Sequence, residues 1–236
     1  MTDEFLTLEK EIGVSFRNRR FLEEALTHRS YLNEHPLGGF QSNERLEFLG
    51  DAVLDLVVSE HLFKNFLIYQ EGQMTSIYAE LVNASLLART AHSLGLYKYL
   101  RVSKGEAKEN GKSKDMLSAD AMEAVLGAVY LDQGYKAVQS IVMRHIIAPN
   151  LPSIMKSARV VGGHLYFGAK SPLQTLVQEK MKITPVYKIL EEEGPEHMKT
   201  FKSGVFVQDE LLGEGTGSSK QESEEAAAKD ALQKLQ

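Results

Sequence analysis

The sequence has no cysteine, no apolar run long enough to span a membrane and no excess of basic residues. Without cysteine there is no disulfide framework, no thiolate-ligated zinc and no cysteine nucleophile. The residues Met1 to Phe5 are acidic and lead into no apolar run, so we expect no signal peptide. No segment approaches the roughly 18 apolar residues of a membrane helix, which predicts a soluble, cytoplasmic protein without a membrane partner.

The charge balance is acidic. The chain has 27 Lys and Arg residues against 32 Asp and Glu residues, a net charge of −5 and a pI of about 5.9. This balance argues against a nucleic-acid binder, because neutralising phosphates requires local positive charge. The 236 residues are also more than one small module needs, which favours two domains.

The hydrophobic spacing divides the chain into three parts. Residues 1–151 show apolar positions at helical intervals, which predicts an all-α domain with one helix over Ile77–Leu94 and a last helix that stops before Pro149. Residues 152–170 contain Pro and a Gly pair and are predicted to be a linker that packs in part. Residues 171–236 read as helix, three strands and helix, which is typical of a small α+β domain.

A stripe of acidic residues stands out in the first domain. On a helix, Glu44, Glu47 and Asp51 have i, i+3 and i+7 spacing and therefore share one face. Their neighbours are apolar, so three unpaired carboxylates there would be costly. We expect something positive to lie beside them.

A second acidic pair, Asp120 and Glu123, lies on a later helix that is rich in small residues and able to pack closely. Two such stripes can converge on a hard cation, and oxygen-only ligands suit Mg²⁺, with Mn²⁺ as a substitute. The alternative is that both stripes are solvated faces or salt-bridge partners. From the spacing alone, both interpretations stay open.

The segment Asn43-Glu-Arg-Leu-Glu-Phe-Leu-Gly-Asp51 resembles the signature of the ribonuclease III family. Four companion motifs follow the order and spacing of that family, and the resemblance spans almost the whole chain. They are His28-Arg-Ser-Tyr31, Glu71-Gly72, Leu81-Val-Asn83 and Ala119-Asp-Ala-Met-Glu123.

The resemblance implies an endonuclease specific for double-stranded RNA that acts as a homodimer, depends on Mg²⁺ and needs no organic cofactor. Its products would carry a 5′-phosphate and a 3′-hydroxyl, and its expected roles are in rRNA and mRNA processing. It implies that Glu47, Asp51, Asp120 and Glu123 are the metal-binding and catalytic carboxylates, and of these we expect Asp51 and Glu123 to be nearest the attacking water. It further implies that Glu44 and Glu71 are supporting catalytic acids and that Phe48 is a dimer contact.

The last 66 residues resemble a double-stranded-RNA-binding domain. Such domains read the shape of an RNA duplex through 2′-hydroxyls and phosphates. The resemblance implies an RNA-binding set made of Thr175, Gln178, Glu179, His197, Lys199 and Lys220. The run of alternating glycines Gly213, Gly215 and Gly217 is not at a strand–helix phosphate turn, so we do not interpret it as a dinucleotide site.

The chain departs from the family pattern at several positions that bear on RNA affinity and metal tuning. Gln73 replaces an acid, Ile77 and Tyr78 stand in a helix that usually carries arginines, and Gln221 replaces the second of two basic residues. The four principal carboxylates are intact. Comparatively weak, salt-sensitive RNA binding is therefore predicted.

The rival hypothesis is a non-catalytic protein that binds or scaffolds double-stranded RNA. The complete carboxylate set favours the enzyme. The six proposed active-site acids also account for part of the acidity, because without them 26 acidic residues remain against 27 basic ones.

Overall fold

The computed structural model describes residues 4–36, 39, 41–108, 111–161, 164–194 and 199–235. These residues form two compact units, one from Met1–Tyr69 and Ile77–Ser153 and the other from Gln70–Ser76 and Ile154–Gln236. In the described ranges, no helix is both long and apolar enough to cross a membrane.

The first unit is helical, as predicted. Its central helices are the two longest, α4 (Glu44–Asn65) and α7 (Lys112–Gln133). Between Leu117 and Val129, α7 is buried on almost every side, so it forms the axis of the core. It also contains α1 (Glu4–Ile12), α2 (Arg19–Ala25), α3 (Arg29–Glu34), α6 (Ala84–Ser93) and α8 (Tyr135–Val142), while α5 (Glu71–Val82) and α9 (Ala148–Ser157) have residues in both units.

The prediction of one helix over Ile77–Leu94 is wrong. The chain forms α5 and α6 instead, and Asn83 separates them with extended backbone angles of −69° and 148°. The Asn83 side chain accepts a hydrogen bond of 2.9 Å from the backbone N–H of Leu86. An N-cap of this kind satisfies an otherwise unpaired donor, so a new helix starts where the apolar spacing alone suggested continuity.

The segment predicted to be a linker is ordered along much of its length. Helicity does not stop before Pro149, because a π-helical turn (Met143–Ile147) leads into α9, which runs to Ser157. An antiparallel hairpin follows, with β1 (Ala158–Val161) paired to β2 (His164–Phe167). Leu165 of this hairpin is buried, which agrees with the expected partial packing. The boundaries at 151 and 171 remain predictions.

The second unit has the predicted α-β-β-β-α order. After the β1–β2 hairpin come α10 (Lys170–Met181), β3 (Val186–Glu193), β4 (Thr200–Val207), β5 (Glu210–Gly217) and α11 (Lys220–Leu235). The strands form an antiparallel sheet in the order β3-β4-β5. Its core joins Leu173 and Val177 of α10 to Val205 of β4 and Ala228 and Leu232 of α11.

The alternating glycines of β5 let α11 pack close to the sheet. A Cβ atom at Gly215 would lie 2.2 Å from the backbone nitrogen of Ala227, and one at Gly213 would lie 2.5 Å from that of Ala231. Side chains at these positions would push the helix away. The glycine pattern therefore serves packing and does not form a phosphate loop.

Candidate active site and RNA-binding surface

Helices α4 and α7 cross where each has a glycine, Gly50 on α4 and Gly127 on α7. A Cβ atom at Gly50 would lie 1.8 Å from the carbonyl oxygen of Glu123, and one at Gly127 would lie 2.2 Å from the carbonyl oxygen of Leu46. Only glycine permits backbones to approach this closely. The crossing therefore sets the two acidic stripes beside each other.

The four principal carboxylates flank this crossing. Glu47 and Asp51 lie on α4 on either side of Gly50, while Asp120 and Glu123 lie on α7 within two turns of Gly127. Asp51 is exposed, and the other three are partly buried. The structure thus brings the two predicted pairs into one electrostatic cluster.

The pKa values report that clustering. Burial raises the pKa of Glu47, and the charges of Asp120, Glu44 and Asp51 raise it further. Burial also raises the pKa of Asp120, against the opposing influence of His28. The largest effect is at Glu123, where burial, followed by the charges of Asp51, Glu47, Asp120 and Asp55, raises the pKa to about 8.

The four principal carboxylates are not part of the ion pairs seen in the described residues. None of the ion pairs formed by the described residues includes Glu47, Asp51, Asp120 or Glu123. This excludes the salt-bridge interpretation for the described part of the chain. Uncompensated carboxylates at a partly buried helix crossing are chemically suited to a hard cation.

The side chains do not form a closed ligand shell. Across the described residues, no three Asp, Glu, His or Cys side chains are grouped closely enough to hold a metal ion. The fit to a divalent cation therefore rests on the oxygen donors and their unbalanced charge.

A cleft of about 550 Å³ opens beside the crossing. Glu47 and Asp120 line it, together with Glu44, which accepts hydrogen bonds from the Ser42 hydroxyl at 2.9 Å and from the Arg29 guanidinium at 3.4 Å. His28 also lines it and caps α3, since its side chain accepts from the backbone N–H of Ser30 at 3.3 Å. His28 therefore has a structural role at the start of α3.

Two groups near the cluster were missed by the sequence analysis. Asp55 lies one turn after Asp51 on α4, and its charge helps to raise the pKa values of Asp51 and Glu123. The Tyr78 hydroxyl donates a hydrogen bond to Asp55, and burial, reinforced by this bond, raises the Tyr78 pKa well above its usual range. The i+4 spacing from Asp51 was a usable signal for Asp55. No local pattern indicated Tyr78.

Glu71 and Phe48 are the remaining predicted site residues on the nuclease helices. Glu71 begins α5 and is exposed. Phe48 is 80% exposed, an unusual state for an aromatic side chain on a long central helix. Leu56 and Phe63 on the same helix are also exposed.

In the second unit, the predicted RNA-binding residues of α10 share one face. Thr175, Gln178 and Glu179 line a shallow depression of about 390 Å³ with Lys182, which the sequence analysis missed. The Thr175 hydroxyl is hydrogen-bonded to the Tyr166 hydroxyl at 2.9 Å. His197 lies outside the described residues.

The two predicted lysines meet the same carboxylate. The Lys220 Nζ atom lies 3.2 Å from Oε1 of Glu192, and the Lys199 Nζ atom lies 3.6 Å from Oε2. These residues come from three places in the chain: β3, the segment before β4 and the start of α11. The fold therefore brings the two lysines together, but around Glu192, an acid of the same domain that the sequence analysis did not single out.

Comparison with known proteins shows which family has this sequence and fold. A ribonuclease-III-like family model matches residues 18–150, and a double-stranded RNA binding motif matches residues 169–235. A ribonuclease 3 from Caldanaerobacter subterraneus is 44% identical, covering 97% of this chain and 96% of its own length. One from Desulforamulus reducens is 42% identical, covering 97% and 90%.

Solved structures agree. A nuclease domain of ribonuclease III from Campylobacter jejuni, described for structural flexibility in the region involved in dimer formation, is 39% identical with a TM-score of 0.57. It covers 63% of this chain, and the match spans 99% of that domain. The carboxylate-bearing helical unit and the α-β-β-β-α unit are thus the nuclease domain and RNA-binding domain of an endoribonuclease, and the chain belongs to the ribonuclease III family.

Proposed function

We propose that this chain is a Mg²⁺-dependent endonuclease that hydrolyses double-stranded RNA to products with a 5′-phosphate and a 3′-hydroxyl. The observation that carries the proposal is the α4–α7 crossing. It gathers four carboxylates that form no ion pair with any described residue, and it raises the pKa of Glu123 to about 8. Such a cluster is stable in its ionised form only with a positive partner.

Enzymes of the ribonuclease III family are metal-dependent, and the donor set here fits Mg²⁺, with Mn²⁺ as a substitute. Glu47, Asp51, Asp120 and Glu123 would hold the cation. When bound, the metal supplies a hydroxide at neutral pH, neutralises phosphate charge and stabilises the leaving oxygen.

The protein's own groups then have distinct roles. Asp51 and Glu123 are proposed to lie nearest the attacking water. Glu44, oriented by Ser42 and Arg29 at the cleft, and Glu71, at the exposed start of α5, are proposed supporting acids. Near neutral pH, Glu123 retains much of its proton until positive charge arrives, because its pKa is about 8.

The RNA-binding domain is proposed to dock the duplex through two groups of residues. Thr175, Gln178 and Glu179 present hydrogen-bonding groups from one face of α10, a suitable arrangement for the 2′-hydroxyls of a minor groove. Lys199 and Lys220 supply positive charge for phosphates, and His197 is proposed to reach the next groove.

A homodimer is proposed through the Phe48 face of α4. Beside the exposed Phe48 ring is a cavity of about 640 Å³, which Leu46, Leu49 and Leu131 help to line. In a two-fold interface, each surface meets its own copy. The ring of each protomer could therefore fill the cavity of its partner.

Cleavage of a long RNA duplex tests the proposed activity. The parent and a matched α7 variant, Asp115→Asn, should cleave with Mg²⁺, while Glu123→Gln and Asp51→Asn should bind the duplex without cleaving it. A parent that binds but does not cleave would instead support the non-catalytic scaffold. Equal cleavage by all four proteins would refute the roles assigned to Asp51 and Glu123.

We place this activity in the cytoplasm and in the processing of rRNA and mRNA precursors. The support is membership of the family. RNA sequencing of cells that lack the protein should show unprocessed duplex-containing precursors, and their restoration should require Glu123. Unchanged precursors would contradict this assignment.

A further inference from the structure

Glu192 occupies an unusual place on the RNA-binding domain. Its two carboxylate oxygens face different lysines, Oε1 toward Lys220 at 3.2 Å and Oε2 toward Lys199 at 3.6 Å. A carboxylate that bridges two ammonium groups presents two anionic oxygens, as a phosphate does. Glu192 therefore sits where the two lysines would receive RNA.

Both lysines have structural reasons to stay near this position. Lys220 begins α11, and its Nζ atom lies 5.7 Å from the centre of the Phe201 ring on β4. Lys199 immediately precedes β4, so the pairing of β4 with β3 fixes its backbone close to Glu192. The bridge thus results from the fold of the sheet.

The contacts are nevertheless weak enough to exchange. The side chain of Glu192 is 38% exposed and that of Lys220 is 61% exposed. The hydrogen bond from Lys220, followed by the charges of both lysines, lowers the pKa of Glu192, so the bridge is ionised at neutral pH. Exposed ion pairs of this kind contribute little free energy because water solvates the charges and salt screens them. An anion with a higher charge density, such as a phosphate, can therefore displace the carboxylate.

We propose that Glu192 is an internal competitor of RNA phosphate, occupying Lys199 and Lys220 in the free protein and weakening duplex binding. This inference rests on the proposed role of those lysines in binding RNA. It gives a physical reason for the weak, salt-sensitive binding predicted from the acidic composition and from Gln221. It also makes Glu192 an affinity-setting residue that does not itself contact the substrate favourably.

The test is a duplex-binding titration with the full-length chain in EDTA, so that no cleavage occurs. Glu192→Gln is compared with Glu193→Gln, which removes the same charge from the next residue of β3; no ion pair of the described residues includes Glu193. We expect Glu192→Gln to bind about 3–10-fold more tightly than Glu193→Gln at about 50 mM salt. The gain should shrink at about 300 mM salt, because it is electrostatic.

The lysines supply the second arm of the test. A Lys199→Ala/Lys220→Ala variant should bind the duplex more weakly than the parent. Adding Glu192→Gln to this variant should restore almost none of the lost affinity. Equal affinity of Glu192→Gln and Glu193→Gln, with the double lysine variant still weakened, would overturn the competition while leaving the proposed lysine role intact.

Two further outcomes are also decisive. If the double lysine variant binds as tightly as the parent, the lysine role and the competition fail together. If Glu192→Gln improves binding as much without the lysines as with them, the effect is general charge repulsion and the competition is refuted. Unchanged thermal unfolding of Glu192→Gln would show that the altered binding does not come from an altered fold.

Discussion

The pKa of Glu123 predicts that the ionised carboxylate cluster at the α4–α7 crossing destabilises the metal-free protein. The unfolded carboxyl has its ordinary pKa of 4.5, and the folded one has a pKa of about 8. Between those values the folded state binds more protons than the unfolded state. Stability therefore falls as pH rises from about 4.5 to about 8 and then stays at the lower level.

The size of the effect follows from the same values. Each pKa unit between folded and unfolded states corresponds to about 1.4 kcal/mol, so the full difference would approach ~5 kcal/mol. Glu123 is only partly buried, and solvent screening reduces this to about 1–2 kcal/mol. For a unit of this size, that corresponds to a change in Tm of roughly 2–8 °C.

The assay is calorimetric unfolding of the full chain in EDTA, following the transition of the helical unit. Glu123→Gln removes the ionisable group, so it should be more stable than the parent at pH 9 and nearly equal to it at pH 5. Glu210→Gln, an exposed carboxyl of the second unit, is the control and should not change the transition of the helical unit.

Added Mg²⁺ should reverse the order at pH 8, since the cation would stabilise the parent cluster and have fewer charges to bind in Glu123→Gln. A parent and a Glu123→Gln variant that show the same pH dependence in EDTA would refute the argument from clustered carboxylates. So would a variant that loses stability relative to the parent at pH 9.

Three further perturbations follow from the described contacts. Gly50→Ala places a Cβ atom 1.8 Å from the Glu123 carbonyl oxygen, so it should cost about 3 kcal/mol of unfolding free energy and reduce cleavage as the helices separate. Unaltered stability in urea titrations would show that α4 and α7 can move apart at little energetic cost. Tyr78→Phe removes the hydrogen bond to Asp55 and should lower the free energy of unfolding by about 1 kcal/mol, measured by thermal unfolding. Unchanged stability would mean that a water molecule replaces the hydroxyl as the donor to Asp55. Phe48→Glu introduces charge at the proposed dimer face and should give a monomer in analytical ultracentrifugation, and a persistent dimer would place the interface elsewhere.

The local parts of the fold could be predicted from the sequence. Helical spacing predicted the all-α first unit, and strand and turn signals predicted the α-β-β-β-α order of the second. The helix α5 ended earlier than predicted because the Asn83 side chain, a local signal that apolar spacing does not contain, caps α6. The hairpin of β1 and β2 was missed because each of its strands has four residues, too few for a clear alternating pattern.

By itself, the sequence determined which carboxylates share a helix face, since that depends only on spacing along one helix. It did not determine what the carboxylates meet. The raised pKa of Glu123, the bond from Tyr78 to Asp55 and the bridge of Glu192 to Lys199 and Lys220 all join segments that are distant in the chain. Only the tertiary structure decided these, because burial and charge–charge interactions depend on distance through space. At the α4–α7 carboxylate cluster, that distance is set by the backbone contact at Gly50.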